Sequence, residues 1–502
     1  MNAIATPLAI RPDHEVVIIG AGFSGLGAAI LLRREGFHDV RILEMGDDLG
    51  GAWHHNTYPG VAVDTPSFGY SFSFEPNPAW SRVFAKGAEL KAYAEHCADK
   101  YDVRRLVRFR SKVVSADFDA ATHRWRLSLE GGDVITARYV IAATGVFTKP
   151  KRPDIEGLDA FRGPVIHTGA WDHSVSLDRK RVSVIGTGAS AVQVVPALAR
   201  KVAHLDVFQR TPIWILPKTD PALGKGVELA FRYLPGVQWA ARMAALGASE
   251  ALLVLAFHYA KDLPGLRAAI TRMAHEHLER QVKDPELRKK LTPRYDFGCK
   301  RPSISNEYLR TFTRANVDLV TEPIARVTPR GVETKDGEVH DADALVLATG
   351  FKVFEPDNSP PYPTRGVGGV DLASFWADNR VQAYQGVSVP GFPNSFSILG
   401  PYGWNGTSYF ALIETQMRQI VRLLTEARRR RATWVDVTPE ANAAYHADMM
   451  RRRGHQIWFN ADCGTSNSYY FDAHGDVPFR PVTSLEAWWR SGHFPLSDYR
   501  FR

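Results

Sequence analysis

Runs of apolar residues divide the chain into stretches typical of strands and of helices. Residues 15–20 read EVVIIG, a continuous and mostly β-branched run that is typical of a buried parallel strand. The run passes into GAGFSG and then into LGAAILLRREG, a helical pattern that ends at Gly36. VRILE at 40–44 follows as a second strand, so this part of the chain predicts one βαβ unit.

A second unit of the same kind begins at residue 181. RVSVIG at 181–186 is followed by TGASAVQVVPALARKV and by LDVFQR at 205–210. Two further apolar strands, within 137–145 and 341–350, both end in Ala-Thr-Gly. This duplication predicts that the chain leaves the first unit, builds the second and returns to the first. The predicted fold class is α/β, with two Rossmann-like dinucleotide-binding domains and a helical insertion.

Prolines that begin or end helices, together with the helical pattern, give the boundaries of the predicted domains. Residues 222–292 read as mainly helical and interrupt the second unit. The predicted segments are 1–148 (first segment of the first dinucleotide-binding domain), 149–221 (first segment of the second dinucleotide-binding domain), 222–292 (helical insertion), 293–338 (second segment of the second domain) and 339–502 (second segment of the first domain with the C-terminal region).

Composition narrows the class of protein. Apolar residues make up 45% of the chain and charged residues 23%, as in an ordinary globular protein. The net charge is +8, but the densest cationic cluster, Arg428–Arg431, lies at a predicted helix end. No dense Lys/Arg block has interleaved aromatic residues, so nucleic acid is not expected as a partner.

Cysteine spacing and apolar run length lead to expectations about metals and location. Cys97, Cys299 and Cys463 are far apart and form no CxxC pair, which argues against a disulfide framework, a zinc site and a dithiol flavoreductase. Reduced cysteines, with no signal peptide in residues 1–15, predict a cytoplasmic location. The most apolar run, 251–257, is far shorter than the about 20 residues of a membrane span, so no integral membrane segment is expected.

The first glycine-rich turn predicts an FAD site. Gly20, Gly22 and Gly25 provide a tight turn, close approach of a pyrophosphate and close packing of helix on strand. Glu44 ends the second strand, where its carboxylate can accept the ribose hydroxyls. A carboxylate there repels a 2′-phosphate, so the unphosphorylated adenosine of FAD fits this unit.

The second glycine-rich turn differs from the first in the charge at the matching position. Gly186, Gly188 and Ser190 belong to its phosphate-binding turn, and Arg210 stands where the first unit has Glu44. A guanidinium suits a 2′-phosphate, so Arg210 and the adjacent Thr211 predict NADPH as the second nucleotide. The alternative is that Arg210 is a surface arginine.

Two stretches carry a family resemblance. FRGPVIHTGAWD at 161–172 is similar to the signature of type I Baeyer–Villiger monooxygenases, and GGAWHHNTYPGVAVD at 50–64 resembles a second signature of the same family. The matching residues are Phe161, Gly163, His167, Trp171 and Asp172 in the first stretch, and Gly50, Gly51, Trp53, Tyr58, Pro59, Gly60 and Asp64 in the second. The resemblance weakens beyond residue 430, where Ser468-Tyr469-Tyr470 replaces the family's Ser-Trp-Tyr.

The resemblance implies an activity and roles for single residues. It implies that NADPH reduces FAD, that O2 adds to give a C4a-peroxyflavin, and that this attacks a ketone to give an ester or lactone. By resemblance, Arg301 in FGCKRPSIS is the active-site arginine, Asp64 holds it, and Lys300 contacts the ribose or nicotinamide side of NADP. Gly51 and Trp53 are expected beside FAD, and His167 between the domains.

Other interpretations remain open at this point. Arg301 and Asp64 could form a purely structural ion pair, and Lys300 could face solvent. A flavin-containing monooxygenase that oxidises sulfur or nitrogen would use the same cofactors, although Trp171-Asp172 and Arg301 argue against it. A flavoprotein reductase without oxygenation is the third possibility. No obligatory protein partner is expected.

Overall fold

The computed structural model describes residues 12–353, 358 and 360–502. The strands, in chain order, are β1 His14–Ile19, β2 Val40–Leu43, β3 Val107–Arg108, β4 Val113–Asp119, β5 Arg124–Leu129, β6 Val134–Ala142, β7 Val165–His167, β8 Arg181–Ile185, β9 His204–Phe208, β10 Ile215–Leu216, β11 Ser303–Ile304, β12 Val317–Val320, β13 Ile324–Thr328, β14 Gly331–Thr334, β15 Val339–Asp341, β16 Ala344–Leu347, β17 Thr364–Arg365, β18 Ser395–Ser397, β19 Val435–Val437 and β20 Tyr499–Phe501. The helices are α1 Phe23–Arg34, α2 Ala52–His55, α3 Gly87–Lys100, α4 Ala189–Leu198, α5 Lys225–Tyr233, α6 Val237–Ser249, α7 Ala256–His258, α8 Pro264–Gln281, α9 Pro285–Leu291, α10 Tyr308–Thr311, α11 Leu372–Asn379, α12 Tyr409–Arg430, α13 Pro439–Arg452 and α14 Ser484–His493.

The first sheet contains the first predicted βαβ unit. Its strand order is β17-β4-β5-β6-β1-β2-β3, and β18 also pairs with β6. β1 lies parallel to both β2 and β6, and Val16, Val17 and Ile18 of β1 are fully buried. A central parallel strand is covered on both faces, which explains its unbroken apolar sequence and confirms the α/β fold class.

The second sheet is parallel and has the order β12-β9-β8-β16-β7. The predicted segment boundary at 338/339 is wrong here, because β16 pairs with β7 and β8 in the second sheet and not with the first. The chain returns to the first sheet only at β17 and β18. An apolar strand followed by Ala-Thr-Gly fits either sheet, and only long-range pairing decides between them.

The helices between the two parts of the second unit run from α5 to α9. Within them, α6, a π-helical segment Glu250–Leu255 and α7 form one continuous helix, Val237–His258, called here the long helix. By length and composition alone the long helix could cross a membrane, unlike the run 251–257 within it. Its C-terminal residues Phe257 and His258 are buried inside the protein, so the long helix is not exposed over its full length. That the chain has no integral membrane segment remains a prediction.

The expectation that the cysteines are all reduced is wrong in the structure. Cys299 and Cys463 form a disulfide with a Cα–Cα distance of 5.1 Å, and Cys97 is free and buried. The two bonded residues are 164 positions apart, so their spacing in the sequence gives no sign of the pairing. The disulfide also removes one argument for a cytoplasmic location. The other argument, from the N-terminus, rests mainly on residues 1–11, which lie outside the described part of the chain.

Candidate functional site

The first glycine-rich turn joins β1 to α1. Gly20 has a φ of +108°, and a Cβ on Gly25 would lie 1.8 Å from the Gly20 carbonyl oxygen, so both positions exclude side chains. Gly22 precedes α1, and no side chain caps the first turn of that helix. Free backbone N–H groups at a glycine-rich helix start suit a pyrophosphate. This geometry fits FAD.

Glu44, Gly51 and Trp53 lie around this turn. The Glu44 carboxylate is buried and accepts hydrogen bonds from the N–H groups of Ala21 and Gly46, both at 2.7 Å. A Cβ on Gly51 would lie 2.9 Å from the Cα of Gly22, so the loop of the second signature touches the turn. Trp53 donates its indole N–H to Tyr70 at 3.3 Å. Glu44, Gly51 and Trp53 are therefore brought together as predicted.

The second turn repeats the geometry of the first. Gly186 has a φ of +112°, and a Cβ there would lie 2.5 Å from the carbonyl oxygen of Ala348. A Cβ on Gly20 would lie 2.7 Å from that of Ala143, so each Ala-Thr-Gly lies against the turn of its own unit. A Cβ on Gly188 would meet nothing within 4 Å, and α4 begins there without a side-chain cap. The open space and the free N–H groups suit a second pyrophosphate.

Two cations lie beside the second turn. Arg210 follows β9 and is exposed, so it is open to a ligand. Burial and the charge of Arg210 lower the pKa of Lys300 to about 8. Thr211 is held by its neighbours: its carbonyl accepts from the Thr187 hydroxyl at 2.8 Å, and its hydroxyl accepts from Asn467 at 2.8 Å. Two cations this close suit a doubly charged anion such as a 2′-phosphate.

Arg301 and Asp64 form the predicted pair. Nη2 and Nε of Arg301 donate to Asp64 Oδ2 at 2.7 and 3.1 Å, and about a fifth of the Arg301 side chain is exposed. The Asp64 charge holds the pKa of Arg301 above its usual value, so the guanidinium remains charged at all working pH values. The pair joins the second signature to the segment that follows the helical insertion.

A small cavity borders Arg301. The other lining residues come from the long helix, from the loop before α12 and from the C-terminal region: Leu253, Phe257, His258, Trp404, Asn405, Gly406, Trp458, Tyr470 and Phe479. Apart from Arg301, His258, Asn405 and Tyr470, these are apolar or mainly apolar groups. Such a lining suits an apolar substrate held next to one fixed positive charge.

The sequence did not single out His258, and it left the role of Tyr470 open. Burial lowers the pKa of His258 to about 3, so the ring is neutral. Its Nε2 donates to the carbonyl of Asn405 at 3.0 Å, and its Nδ1 accepts from Gln456 at 2.8 Å. Burial raises the pKa of Tyr470 well above its usual value, and its hydroxyl interacts with Arg301. Ser468-Tyr469-Tyr470 gave a sequence signal for this part of the site, and the Gly/Asn/Thr-rich turn at 400–410, which contains Trp404 and Asn405, gave another.

The residues of the first signature lie in the second unit, in β7 and in the segments that pack against the second sheet. Phe161 is buried, and a Cβ on Gly163 would lie 2.3 Å from the carbonyl oxygen of Asp343. His167 Nδ1 accepts from the N–H of Gly169 at 3.0 Å. Trp171 packs against the core of the second unit, and Asp172 accepts from the hydroxyl of Ser174 at 2.6 Å. The structure gives these residues packing and turn-forming contacts and places none of them on the cavity.

Gln193 is a contact between the two units that the sequence did not reveal. It lies on α4 of the second unit, and its amide oxygen accepts from the Tyr58 hydroxyl at 3.0 Å and from the N–H of Ala62 at 3.2 Å. Its amide nitrogen donates to the carbonyl of Ala62 at 3.0 Å. The loop that carries Asp64 is thereby fixed to the second unit. A glutamine inside a helical pattern carries no sequence signal for this role.

One group of side chains within the described residues has the composition of a metal site. His204, Asp206 and Asp318 offer atoms within 4.8 Å of one another on β9 and β12. His204 Nε2 lies 3.2 Å from a carboxylate oxygen of each aspartate, which is the geometry of an ion-pair cluster. The expectation that the chain needs no metal remains a prediction.

Comparisons with known proteins agree with this geometry. Residues 17–227 match the family model described as pyridine nucleotide-disulphide oxidoreductase. A Baeyer-Villiger monooxygenase of Pseudomonas aeruginosa is 38% identical over 466 residues, which cover 92% of this chain and 86% of that protein.

Solved structures agree as well. Cyclohexanone monooxygenase from Rhodococcus sp. Phi1 bound to NADP+ superimposes with a TM-score of 0.87 at 28% identity, covering 98% of this chain and 100% of that one. The OTEMO complex with FAD and NADP gives a TM-score of 0.85 at 26% identity, with the same coverage of both chains. Together with the two glycine-rich turns and the Arg301–Asp64 pair, these similarities show that the chain belongs to the Baeyer–Villiger monooxygenase family.

Proposed function

We propose that this chain inserts one atom of O2 next to the carbonyl of a ketone, giving an ester or lactone, with NADPH as electron donor and FAD as cofactor. The observation that carries the proposal is the Arg301–Asp64 pair, because it puts one fixed positive charge at the edge of an apolar cavity. Bound FAD and NADPH supply the activation of oxygen and the hydride. The protein supplies binding, orientation and electrostatic stabilisation.

FAD is assigned to the first unit and NADPH to the second. The N–H groups after Gly22 would bind the FAD pyrophosphate, and Glu44 the ribose hydroxyls. Arg210 would bind the 2′-phosphate of NADPH. Lys300 was expected near the ribose or nicotinamide, but its interaction with Arg210 favours a place at the same phosphate.

Arg301 would stabilise negative charge on oxygen. When an oxygen nucleophile attacks a ketone, charge develops on the carbonyl oxygen, and a guanidinium that cannot deprotonate is a fixed donor for it. Asp64 would hold the plane of the guanidinium, and Gln193 would keep the Asp64 loop in place. Trp404, Trp458 and Phe479 would exclude water from the reacting groups.

His258 would act as a hydrogen-bonding element and not as a proton donor. Its two ring nitrogens are both used, one by the carbonyl of Asn405 and one by Gln456, and its pKa of about 3 leaves no transferable second proton near neutral pH. The ring would therefore fix the loop that contains Trp404 and Asn405 against the long helix.

A small-molecule ketone and O2 are the partners, and no protein partner is required for this chemistry. The segments keep their predicted assignment, except that the second segment of the NADPH-binding domain extends through β16 to Leu347. His167 would act as a linker residue between the domains, because its Nε2 lies 3.4 Å from Thr349, directly after β16. The cytoplasm remains the predicted location.

Oxygen-isotope labelling tests the proposal. The purified protein should be yellow, with one FAD per chain. It should convert at least one member of a panel of cyclic, aliphatic and aryl ketones, under ¹⁸O2, to an ester or lactone that contains one ¹⁸O atom, using one NADPH per product. Oxidation of a sulfide without oxidation of any ketone would indicate a heteroatom monooxygenase. NADPH oxidation that yields only hydrogen peroxide with every substrate would indicate a reductase without oxygenation.

A further inference from the structure

The first half of the helical insertion exposes apolar side chains. α5 has no buried residue, and it forms with α6 what we call the exposed hairpin, residues 225–249. The exposed large apolar residues of this hairpin are Leu229, Tyr233, Leu234, Val237, Trp239 and Met243, with exposed fractions from 38% to 69%. An apolar group of this size on one supersecondary element marks an interaction surface.

The polarity of the hairpin is the reverse of that of an ordinary surface helix. Between Tyr233 and Ser249 the only charged residue of the sequence is Arg242. It points inward, is 7% exposed and donates to the carbonyl of Ser71 at 2.8 Å. Trp239, on the same helix, is 66% exposed. The helix therefore buries its cation and turns its apolar face outward.

The long helix connects this exposed face to the cavity beside Arg301. Its first half carries Val237, Trp239 and Met243 on the surface, and its last part supplies Leu253, Phe257 and His258 to the cavity lining. The two surfaces thus belong to one continuous element.

The aromatic residues and the charge of the exposed hairpin indicate what binds to its apolar face. Tyrosine and tryptophan are the side chains that prefer the boundary between lipid and water, and Tyr233 and Trp239 lie at the tip and on the outer face of the hairpin. α5 contributes Lys225 and Arg232 against one acid, Glu228, and the whole chain has a net charge of +8. This charge complements anionic lipid.

We propose that the exposed hairpin binds the surface of an anionic lipid bilayer, and that the ketones this enzyme oxidises are apolar molecules of low water solubility taken up from that surface. The hairpin lies on the membrane and does not span it. The statement about the substrate rests on the proposed ketone oxygenation, whereas the statement about lipid binding does not.

Vesicle sedimentation tests the lipid binding without any ketone. The full chain with its cofactors is mixed with vesicles of phosphatidylglycerol and phosphatidylcholine in equal amounts, and with vesicles of phosphatidylcholine alone. We expect binding to the anionic vesicles that weakens with salt, because surface electrostatics are screened. The double variant Leu234→Ser/Trp239→Gln should lose about tenfold or more of its partition coefficient, since it removes two apolar anchors.

A control variant and a water-soluble ketone separate an effect on lipid binding from an effect on catalysis. Trp489→Gln changes another exposed tryptophan, 55% exposed on α14, and should leave vesicle binding unchanged. Both variants should keep wild-type turnover of a small water-soluble ketone, because none of the three changed residues lines the cavity. The Leu234→Ser/Trp239→Gln variant alone should oxidise a vesicle-borne long-chain ketone several-fold more slowly.

Three results would overturn the inference. The first is a wild-type protein that does not bind the anionic vesicles. The second is an equal loss of binding in Trp489→Gln. The third is a dimer, measured by light scattering, that the double variant converts to a monomer, since the face would then bind a second copy of the chain. Vesicle binding without oxidation of any ketone would overturn only the substrate statement and the proposed function. Ketone oxidation without vesicle binding would overturn the lipid binding and the uptake of ketones from a bilayer, and it would leave the proposed function unchanged.

Discussion

Both Nε and Nη2 of Arg301 donate to a single oxygen of Asp64, Oδ2, at 3.1 and 2.7 Å. Two hydrogen bonds to one atom hold one edge of the planar guanidinium in place. The Asp64 loop is itself fixed to the second unit through Gln193. The orientation of Arg301 therefore depends on a chain of contacts that crosses both nucleotide-binding units.

Asp64→Asn should disturb this orientation while it preserves the shape of the side chain. We expect the turnover number for ketone oxygenation to fall by about ten- to a hundredfold, because a misplaced group loses much of its effect on the transition state. FAD content should be unchanged, and the KM for NADPH should change little. Steady-state kinetics on the purified variant separates these quantities. A wild-type turnover number would show that the carboxylate charge is not needed to position Arg301.

Arg301→Ala should separate reduction of the flavin from oxygenation of the ketone. The loss of one preorganised donor costs on the order of 10²–10³ in rate, and the loss of a charged one lies at the upper end. NADPH should still be consumed, with hydrogen peroxide released in place of ester. The ratio of peroxide to ester measures this effect. Arg294→Ala, which removes an exposed arginine seven positions earlier, is the control and should make ester at the wild-type rate. Efficient ester formation by Arg301→Ala would refute its catalytic assignment.

Arg210→Ala should weaken the binding of NADPH far more than that of NADH, because only NADPH carries a 2′-phosphate. A charge-assisted hydrogen bond contributes roughly 1.5–3 kcal/mol, or about ten- to a hundredfold in affinity. Titration of the reduced nucleotides under anaerobic conditions gives the two dissociation constants. Arg200→Ala, at a surface ion pair with Glu307, should affect neither. Equal losses for NADPH and NADH would place Arg210 away from that phosphate.

The pKa of Lys300 predicts a pH dependence for NADPH binding. Burial and the charge of Arg210 lower this pKa to about 8, so the ammonium loses its proton as the pH rises through that value. The cationic form binds a phosphate, so the KM for NADPH should be lowest below pH 8 and should increase above it. The KM for NADH should not follow this curve. In Lys300→Met the KM for NADPH should be higher and should lack the rise near pH 8. A rise that persists in Lys300→Met would have to come from another group.

The disulfide between Cys299 and Cys463 lies two residues from Arg301 and closes a loop of 164 residues. Cross-links of this kind typically contribute about 2–4 kcal/mol to the free energy of unfolding. Cys463→Ser should therefore lower the midpoint of thermal unfolding. It should also raise the fraction of NADPH lost to hydrogen peroxide, because the segment that carries Tyr470 becomes less constrained. Dithiothreitol should destabilise the wild type and leave Cys463→Ser unchanged. A reductant effect of equal size on both proteins would contradict a bond between these cysteines.

Local geometry explains how much of the site the sequence predicted. A glycine-rich turn between a strand and a helix is specified by neighbouring residues, so Gly20, Gly25 and Gly186 occupy the positions that their motifs predict. Arg301 and Asp64, 237 positions apart, were paired only through the family resemblance. The sequence gives the residue types of such a pair, but only the folded chain brings them into contact.

The failures have a common physical origin. The placement of β16, the Cys299–Cys463 bond and the Gln193 contacts all depend on which distant segments pack together. The apolar run at 251–257 is too short to span a membrane, and its length gives no sign that one helix serves both surface and cavity. The spacing of apolar residues predicts the type of an element, but it does not predict which distant element packs against it.

The π-helical segment Glu250–Leu255 determines which side chains of the long helix meet the substrate. A π-turn contains more residues than an α-turn, so it changes the rotational phase between the part of the helix before it and the part after it. Each residue of an α-helix turns the chain by about 100°. The conversion of this segment to ordinary α-helix, with no residue lost, would therefore rotate Phe257 and His258 out of the cavity and bring other side chains in, while Arg301 and Asp64 kept their places. Descendants of this chain could exchange one set of substrates for another through a substitution that removes the π-turn, with the oxygenation chemistry intact.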